Sequence, residues 1–509
     1  MTYAVMQPPG ACSQRMTKPD VSPTNSVYDV AIIGAGFSGI CMGIKLREAG
    51  ISNFVIMERA EDAGGTWRAN DYPGCACDIP SHLYSFSFEP KADWSCLFPR
   101  QPEIQDYLLH CVQKYGLRAY IRMHTNLDQA VYDDANNLWR LSSSDGETFF
   151  ARALVSGMGG LSRPAIPALP GLDTFEGTTF HSAQWNHDYD LGGKKVAVIG
   201  TGASAIQFVP QIVDAVGQLV LFQRTPPWIV PRPDRHIFGW EKWLYRHFPL
   251  TQRLFRTFIY WRQEVRGIGF TISPKLMQKA TKIALQHLQK SVADPGLRQD
   301  LTPDYTIGCK RILISNDYYP ALQEDNLTLV RSGIRKITRD GIIDDHGHHH
   351  SVDAIIFGTG FHATDPLKPT RIFGLGGREL ADDWKQGPEA FLGISVNGYP
   401  NMFLLMGPNT GLGHNSMIFM IEAQVRYTLR ILQRLLSGRV AAYDVKAGDQ
   451  AAFNKDLQDT FAGTVWASGC DSWYQTAAGR QTVLWPGFTF SYWFRTRRPD
   501  LSHYTVTER

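Results

Sequence analysis

A chain of 509 residues, 43% hydrophobic and 19% charged, is a folded protein of two or three domains, and this composition excludes extended disorder. A net charge of +3 excludes nucleic-acid binding through overall charge, so basic features must act locally. The cysteines, Cys12, Cys41, Cys75, Cys77, Cys96, Cys111, Cys309 and Cys470, include no C-x-x-C pair, which predicts reduced thiols in a cytoplasmic compartment rather than a disulfide framework.

Residues 1–26 are rich in Pro, Ser and Thr and read as a surface arm rather than a signal peptide; no apolar run is long enough for a transmembrane segment. The first strong signal is V-A-I-I-G-A-G-F-S-G, Val30 to Gly39: a buried parallel strand turning into a helix through Gly34, Gly36 and Gly39. In that context G-x-G-x-x-G is a dinucleotide fingerprint. The first glycine permits the turn, the second lets backbone approach a pyrophosphate, and the third allows close helix packing. Glu58, 24 residues past Gly34 and at the end of the next apolar run, is placed to accept from a ribose hydroxyl.

A loop too dense in Gly and Pro for helix or strand follows, G-G-T-W from Gly64 to Trp67 and Y-P-G-C-A-C-D from Tyr72 to Asp78. Trp67 offers a flat apolar face and Asp78 a charge, a pairing suited to the edge of a flavin ring. The spacing predicts a helix over 103–115 and strands over 137–141 and 148–155. Pro164 to Gly171 reads as an extended linker where the domain changes. Past Phe175, Gly177, His181 and Trp185, the run from Lys194 repeats the opening pattern as Gly200, Thr201, Gly202, Ser204 and Ala205, 166 residues after the first fingerprint. Here Arg224 stands 24 residues past the first glycine, the offset of Glu58 in the first unit. Arginine cannot accept from a free 2′-hydroxyl but grips a 2′-phosphate, with Thr225 adding a hydroxyl, so the first unit suits FAD and the second NADPH.

Residues 232–300 break the α/β rhythm. Leu254, Phe258, Trp261 and Val265 fall at helical steps among Arg253, Arg256 and Arg262; such a helix suits either a membrane surface or, the reading preferred here, the cover of a core. Lys310 and Arg311 are adjacent cations. The histidines His346, His348, His349 and His350 fall where a hairpin must reverse and are read as a turn, with no metal site. Pro400 to Met417 reads as a strand, a Gly-rich loop and a helix returning to the first domain.

In combination these motifs resemble the type I Baeyer–Villiger monooxygenases among the class B flavoprotein monooxygenases. Phe175, Gly177, His181 and Trp185 are similar to the family signature, with Asn186 where Pro or Asp is usual; Gly64–Trp67, Tyr72–Asp78, Lys310-Arg311, Phe357–Gly360 and Asp471–Trp473 match as well. The resemblance implies an α/β fold of two dinucleotide-binding (Rossmann-like) domains, three-layer, with a helical insertion in the second. Its domains are an arm (1–26), an FAD-binding part (27–165), an NADPH-binding domain (166–384, insertion about 232–305) and a second FAD-binding part (385–509).

By position, the resemblance assigns Gly34, Gly36, Gly39, Glu58, Thr66, Trp67, Asp78, Tyr84 and Met417 to FAD. It assigns Gly200, Thr201, Gly202, Ser204, Arg224, Thr225, Lys310 and Trp473 to NADPH, and makes Arg311, oriented by Asp78, catalytic. The implied reaction consumes NADPH and O2 and converts a ketone to an ester or lactone via a flavin peroxide. Two rival readings keep both nucleotide sites: a flavin monooxygenase oxidising amines or sulfides, which needs no Arg311–Asp78 pair, and a flavin-binding redox sensor without turnover. A disulfide reductase would want C-x-x-x-x-C beside the flavin, and Cys75-Ala76-Cys77 has the wrong spacing. No motif specifies the ketone or the oligomeric state.

Overall fold

Alternate residues of a strand face opposite sides of its sheet, so a strand that is apolar throughout must be covered on both faces. The computed structural model, which describes residues 27–362, 367–470, 472–476 and 478–509, shows how this chain does so twice. The arm of residues 1–26 and Asp471 lie outside the described residues.

In the first sheet Val27–Ile33 runs parallel between Phe54–Met57 and Thr148–Ser156, and Ile121–Arg122 extends the sheet beyond Phe54–Met57. Thr148–Ser156, Leu138–Ser143 and Leu127–Asp133 form an antiparallel meander. Ile32, Ile56 and Val155 point to one face, in the same core as Ile40 and Ile44 of the helix Phe37–Glu48. Ile33, Met57 and Leu154 point to the other, onto Trp139 and Leu141 of the meander. Each such side chain, fully withdrawn from water, contributes about 1.5–3 kcal/mol. Arg371–Phe373 and Met402–Leu404 then add parallel strands to Leu127–Asp133 and Thr148–Ser156. The chain therefore rejoins this sheet at Arg371, through a three-residue strand that carries almost no periodic signal.

The second sheet is parallel throughout, in the order Leu327–Val330, Gln218–Phe222, Lys195–Ile199, Ala354–Phe357, Thr178–His181. One face, with Val198 and Leu221, shares a core with Phe208 and Val209 of the helix Ala205–Ile212. The other packs on a small antiparallel sheet, Ile334–Thr338, Gly341–Asp344 and His349–Ser351, through Ile337 and Ile342. Of the four histidines expected in a turn, His346 and His348 lie at that hairpin's reversal while His349 and His350 belong to its second strand, and His348 Nδ1 and His350 Nε2 each lie 3.2 Å from Asp344 Oδ2.

The two connections between the sheets touch each other. Ala165 N–H donates to the Gly360 carbonyl at 2.9 Å, His362 N–H to the Arg163 carbonyl at 3.1 Å, and the Thr359 hydroxyl to the Ala165 carbonyl at 2.6 Å. The predicted linker is thus half of a short antiparallel ribbon.

Two expectations are corrected. The insertion is helical, with Gly239–His247, Pro249–Thr271, Met277–Ser291 and Pro295–Asp300. However, Leu254, Phe258, Trp261 and Val265, expected to cover a core, are all more than half exposed, and the buried side of Pro249–Thr271 carries Gln252, Ile259, Gln263, Glu264, Gly267 and Phe270. Hydrogen bonds reverse the expected orientation. Gln252 Nε2 reaches His82 Nδ1 at 3.1 Å and the Lys91 carbonyl at 2.6 Å, while Glu264 accepts from the Thr489 amide at 3.1 Å and from Asn415 and the Thr489 hydroxyl at 2.5 Å each. Burial opposes the Glu264 charge, but His414, Thr489 and Asn415 hold its carboxyl below the usual carboxylate range. The expectation of reduced thiols also fails at one pair, since Cys309 and Cys470, 161 residues apart, are disulfide-bonded; Cys41, Cys75, Cys77, Cys96 and Cys111 are free and buried.

Candidate active site

The first glycine turn is shaped by contact with backbone. A Cβ on Gly39 would lie 1.8 Å from the Gly34 carbonyl oxygen, which is why the helix starting at Phe37 can sit so close under its strand. That helix has no side-chain cap at Gly36 and no acid in its first turn, so its leading N–H groups remain available to an anion. Glu58, buried at the end of Phe54–Met57, accepts from Ala35 N–H at 2.8 Å through Oε2 and from Ala60 N–H at 2.9 Å through Oε1. Each oxygen keeps a second lone pair for a hydroxyl.

The second turn repeats this arrangement. Gly200 adopts φ +104°, and a Cβ there would come within 2.6 Å of the Gly358 carbonyl oxygen. The alanine that replaces the third glycine, Ala205, is accommodated because its neighbour Gly358 has no side chain: a Cβ on Gly358 would stand 3.2 Å from that of Ala205. The helix Ala205–Ile212 likewise has no side-chain cap from Ser204 and no acid in its first turn. The Thr201 hydroxyl donates to the Thr225 carbonyl at 3.3 Å, joining the turn to the pair Arg224-Thr225 past the end of Gln218–Phe222, where Arg224 is exposed.

Between the two turns lies the loop with the candidate flavin contacts. A Cβ on Gly65 would meet the Gly36 Cα at 2.9 Å, so this loop touches the first fingerprint backbone to backbone. Thr66 begins a single helical turn; the buried Trp67 donates Nε1–H to the Tyr84 hydroxyl at 3.0 Å with their rings edge-on at 5.5 Å. The Ser416 hydroxyl, which caps the helix Met417–Leu436, also donates to the carbonyl of Leu83, bringing Met417 to the Tyr84 segment.

Asp78 closes the loop against Arg311. The Arg311 Nε–H and Nη2–H both donate to Asp78 Oδ2, at 3.0 and 2.5 Å, with 38% and 27% of the two side chains still accessible. The Asp78 carboxylate beside it raises the Arg311 pKa further above its usual value, so the guanidinium is permanently charged. Lys310 stands 4.8 Å from the Tyr305 ring centre, and Trp473, 44% exposed, leans on the Tyr474 ring at 4.5 Å. The disulfide joins the residue before Lys310 to the segment leading into Trp473.

Two site residues were missed by sequence reasoning. Tyr474 is buried in the field of Arg311; burial pushes its hydroxyl up to about 12. Gln207 ties the Asp78 loop to the second nucleotide unit: its Oε1 accepts from the Tyr72 hydroxyl at 2.9 Å and from Ala76 N–H at 3.3 Å, and its Nε2–H donates to the Ala76 carbonyl at 3.0 Å. Neither stands in a pattern that marks it. The signature residues line the same junction. The His181 ring meets Phe361 edge-on at 5.6 Å, with burial lowering its pKa, and Trp185 packs at 5.3 Å on Phe208, the residue after Gln207.

Residues 28–372 match the flavin-binding monooxygenase-like family. A Baeyer–Villiger monooxygenase of Pseudomonas aeruginosa is 51% identical over 480 residues, covering 94% of this chain and 91% of the relative. One from Streptomyces coelicolor is 46% identical, covering 94% and 92%. Among solved structures, cyclohexanone monooxygenase from Rhodococcus sp. Phi1 bound to NADP+ superposes with a TM-score of 0.84 at 28% identity, covering 96% of this chain and all of the other. A steroid monooxygenase bound to NADP gives 0.84 at 28%, covering 95% and 100%.

Proposed function

We propose, for a chain that belongs to the flavin-binding monooxygenase-like family and within it to the Baeyer–Villiger monooxygenases, that Arg311 held by Asp78 is the group that commits this enzyme to ketone oxidation. The enzyme uses FAD and NADPH, and the reaction balances as ketone, O2, NADPH and a proton giving ester or lactone, NADP+ and water. When bound, reduced FAD supplies the two electrons and the position at which O2 is activated.

The residues present fit both cofactors. Two uncapped helix N-termini, at Gly36 and Ser204, offer free N–H groups to two pyrophosphates. Glu58 has lone pairs to spare for the hydroxyls of the FAD ribose, and Gly34 and Gly39 keep side chains out of its path. Thr66, Trp67, Tyr84 and Met417 would wall the flavin. Gly200, Thr201, Gly202 and Ser204 would hold the NADPH pyrophosphate, Arg224 and Thr225 its 2′-phosphate, and Lys310 and Trp473 its remaining length.

Arg311 brings a fixed positive charge to the reacting oxygen. A guanidinium 4 Å from an oxyanion, at an effective dielectric of about 20, stabilises it by about 4 kcal/mol. That is worth about a thousandfold in proton affinity, enough to keep the oxygen anionic and nucleophilic toward a carbonyl carbon. Asp78 engages Nε and Nη2 and so fixes the plane of the guanidinium while leaving Nη1 uncommitted to it. The unequal commitment of those nitrogens is the observation that carries the proposal. A cytoplasmic site of action would supply NADPH.

Arg311→Ala tests it: NADPH and O2 are still consumed, ester formation falls to near background, and the oxygen appears as hydrogen peroxide. Full ketone oxidation by this variant would remove Arg311 from the role.

A further inference from the structure

We infer that the helical insertion is a docking face for an anionic lipid bilayer. Its helices Gly239–His247 and Pro249–Thr271 present Trp240, Trp243, Leu254, Phe258, Trp261 and Val265 to solvent at 65, 55, 62, 60, 51 and 62% exposure. Large side chains are normally inside, and a contiguous exposed set marks a surface with something to bind. The stripe of Pro249–Thr271 continues onto a further element, since the Trp261 ring lies 6.0 Å from Phe490 at the start of the helix Thr489–Thr496. The same helix exposes Phe494, with the Arg497 guanidinium 5.3 Å from its ring centre.

The exposed charges within these two helices are of one sign. The only acids between Gly239 and Thr271 are Glu241 and Glu264. Both are buried, Glu241 paired with Arg235 at 2.7 Å and Glu264 within the Asn415 and Thr489 network. The exposed charged residues between the aromatic and aliphatic ones of Pro249–Thr271 are Arg253, Arg262 and Arg266, with Arg246 3.7 Å from Asp93 at the rim. An apolar stripe carrying Trp and Phe and flanked by arginines is the composition of a helix lying in the headgroup region.

A bilayer answers both halves of this surface. Acyl chains take the rings, anionic headgroups take the guanidinium groups, and Trp favours that boundary. A second copy answers one half only: a two-fold contact through this face would bring the arginines of one copy against those of the other, while the acid at the rim, Asp93, is already paired with Lys91 and Arg246. No helix among the described residues is long and apolar enough to cross a membrane, so the contact is one of lying on the surface. The buried end of the same helix reaches the site: Phe270 packs against Gly308, three residues before Arg311.

The test is sedimentation of the full-length holoprotein with vesicles of mixed phosphatidylglycerol and phosphatidylcholine, and with phosphatidylcholine alone. The protein is expected to pellet with the mixed vesicles and be released by high salt. Phe258→Ser with Trp261→Ser abolishes binding; Arg253→Gln with Arg262→Gln weakens it about thirtyfold on anionic vesicles. Flavin absorbance at the wild-type ratio shows that each variant is folded. Three outcomes overturn the inference. The wild type fails to bind anionic vesicles; sedimentation velocity shows a dimer that Phe258→Ser with Trp261→Ser dissolves while vesicles go unbound; or vesicle binding appears only after residues 1–26 are removed, which makes the arm the occupant.

Discussion

Gln207→Leu removes an amide of nearly the same size and leaves the Ala76 peptide unmet. Ala76 bridges Arg100 through its neighbours, Cys77 N–H to the Pro99 carbonyl and Gln101 N–H to the Cys75 carbonyl, each at 2.9 Å, so its own N–H and C=O point the other way. Gln207 meets both and also accepts from Tyr72, acting as a one-residue substitute strand. Ala76 and Tyr72 are each only 7% exposed, so water does not replace what is lost. Three bonds at about 0.5–1.5 kcal/mol net each give a destabilisation of about 1.5–4.5 kcal/mol. Because Asp78 lies two residues past Ala76, the loosened loop also lets the Arg311 guanidinium turn. Urea unfolding of the purified holoprotein and the ratio of ester formed to NADPH consumed are the two measurements. The variant is expected to unfold at lower urea and to form severalfold less ester per NADPH. Gln207→Glu keeps an acceptor for Tyr72 but sets a carboxylate oxygen against the Ala76 carbonyl, so it should be no better than the leucine variant at neutral pH. A leucine variant with wild-type unfolding and wild-type coupling would refute this role for Gln207.

Arg224→Ala is expected to weaken NADPH binding by about ten- to a hundredfold, the worth of one charged hydrogen bond, and to narrow the preference over NADH; titration with both nucleotides decides it, and an unchanged preference would sink the assignment. His82 makes the protein acid-sensitive. Burial lowers its pKa to about 4, and its Nδ1 accepts from Gln252, so the folded state holds the ring neutral where the unfolded chain protonates near 6.5. Stability from this residue is complete above pH 6.5 and is lost as pH falls toward 4; at pH 4.5 the loss is about 2.5 kcal/mol. Denaturant melts at pH 7 and 4.5 should show the wild type losing about that much more than His82→Gln, and parallel losses would exclude it.

What was legible in the sequence is what short-range covalent geometry dictates. Gly34, Gly39 and Gly200 announce their turns because no side chain fits there, and the parallel strands announce themselves because both faces are buried. Arg311 and Asp78 were paired by resemblance, being 233 residues apart. Gln207, Tyr474 and the Cys309–Cys470 bond were illegible for the same reason without a motif to help: each acts through a neighbour that only the tertiary fold supplies. The exposed stripe of Pro249–Thr271 shows a different limit. Periodicity says that one side of a helix is apolar, and it does not say whether that side meets protein; Gln252 and Glu264 decided otherwise by bonding inward.

The ribbon that joins the two sheets has a mechanical consequence. Two independent tethers would let the nucleotide units separate, slide or rock in any direction. Here the tethers are laced to each other by the Ala165–Gly360 and Arg163–His362 hydrogen bonds, so pulling them apart costs those bonds, whereas twisting the pair about its length does not. Because the two units also share one core and the Gln207 contacts to Tyr72 and Ala76, the ribbon adds to a joint that already resists separation, and any shift of one nucleotide unit against the other has to break bonds in more than one place.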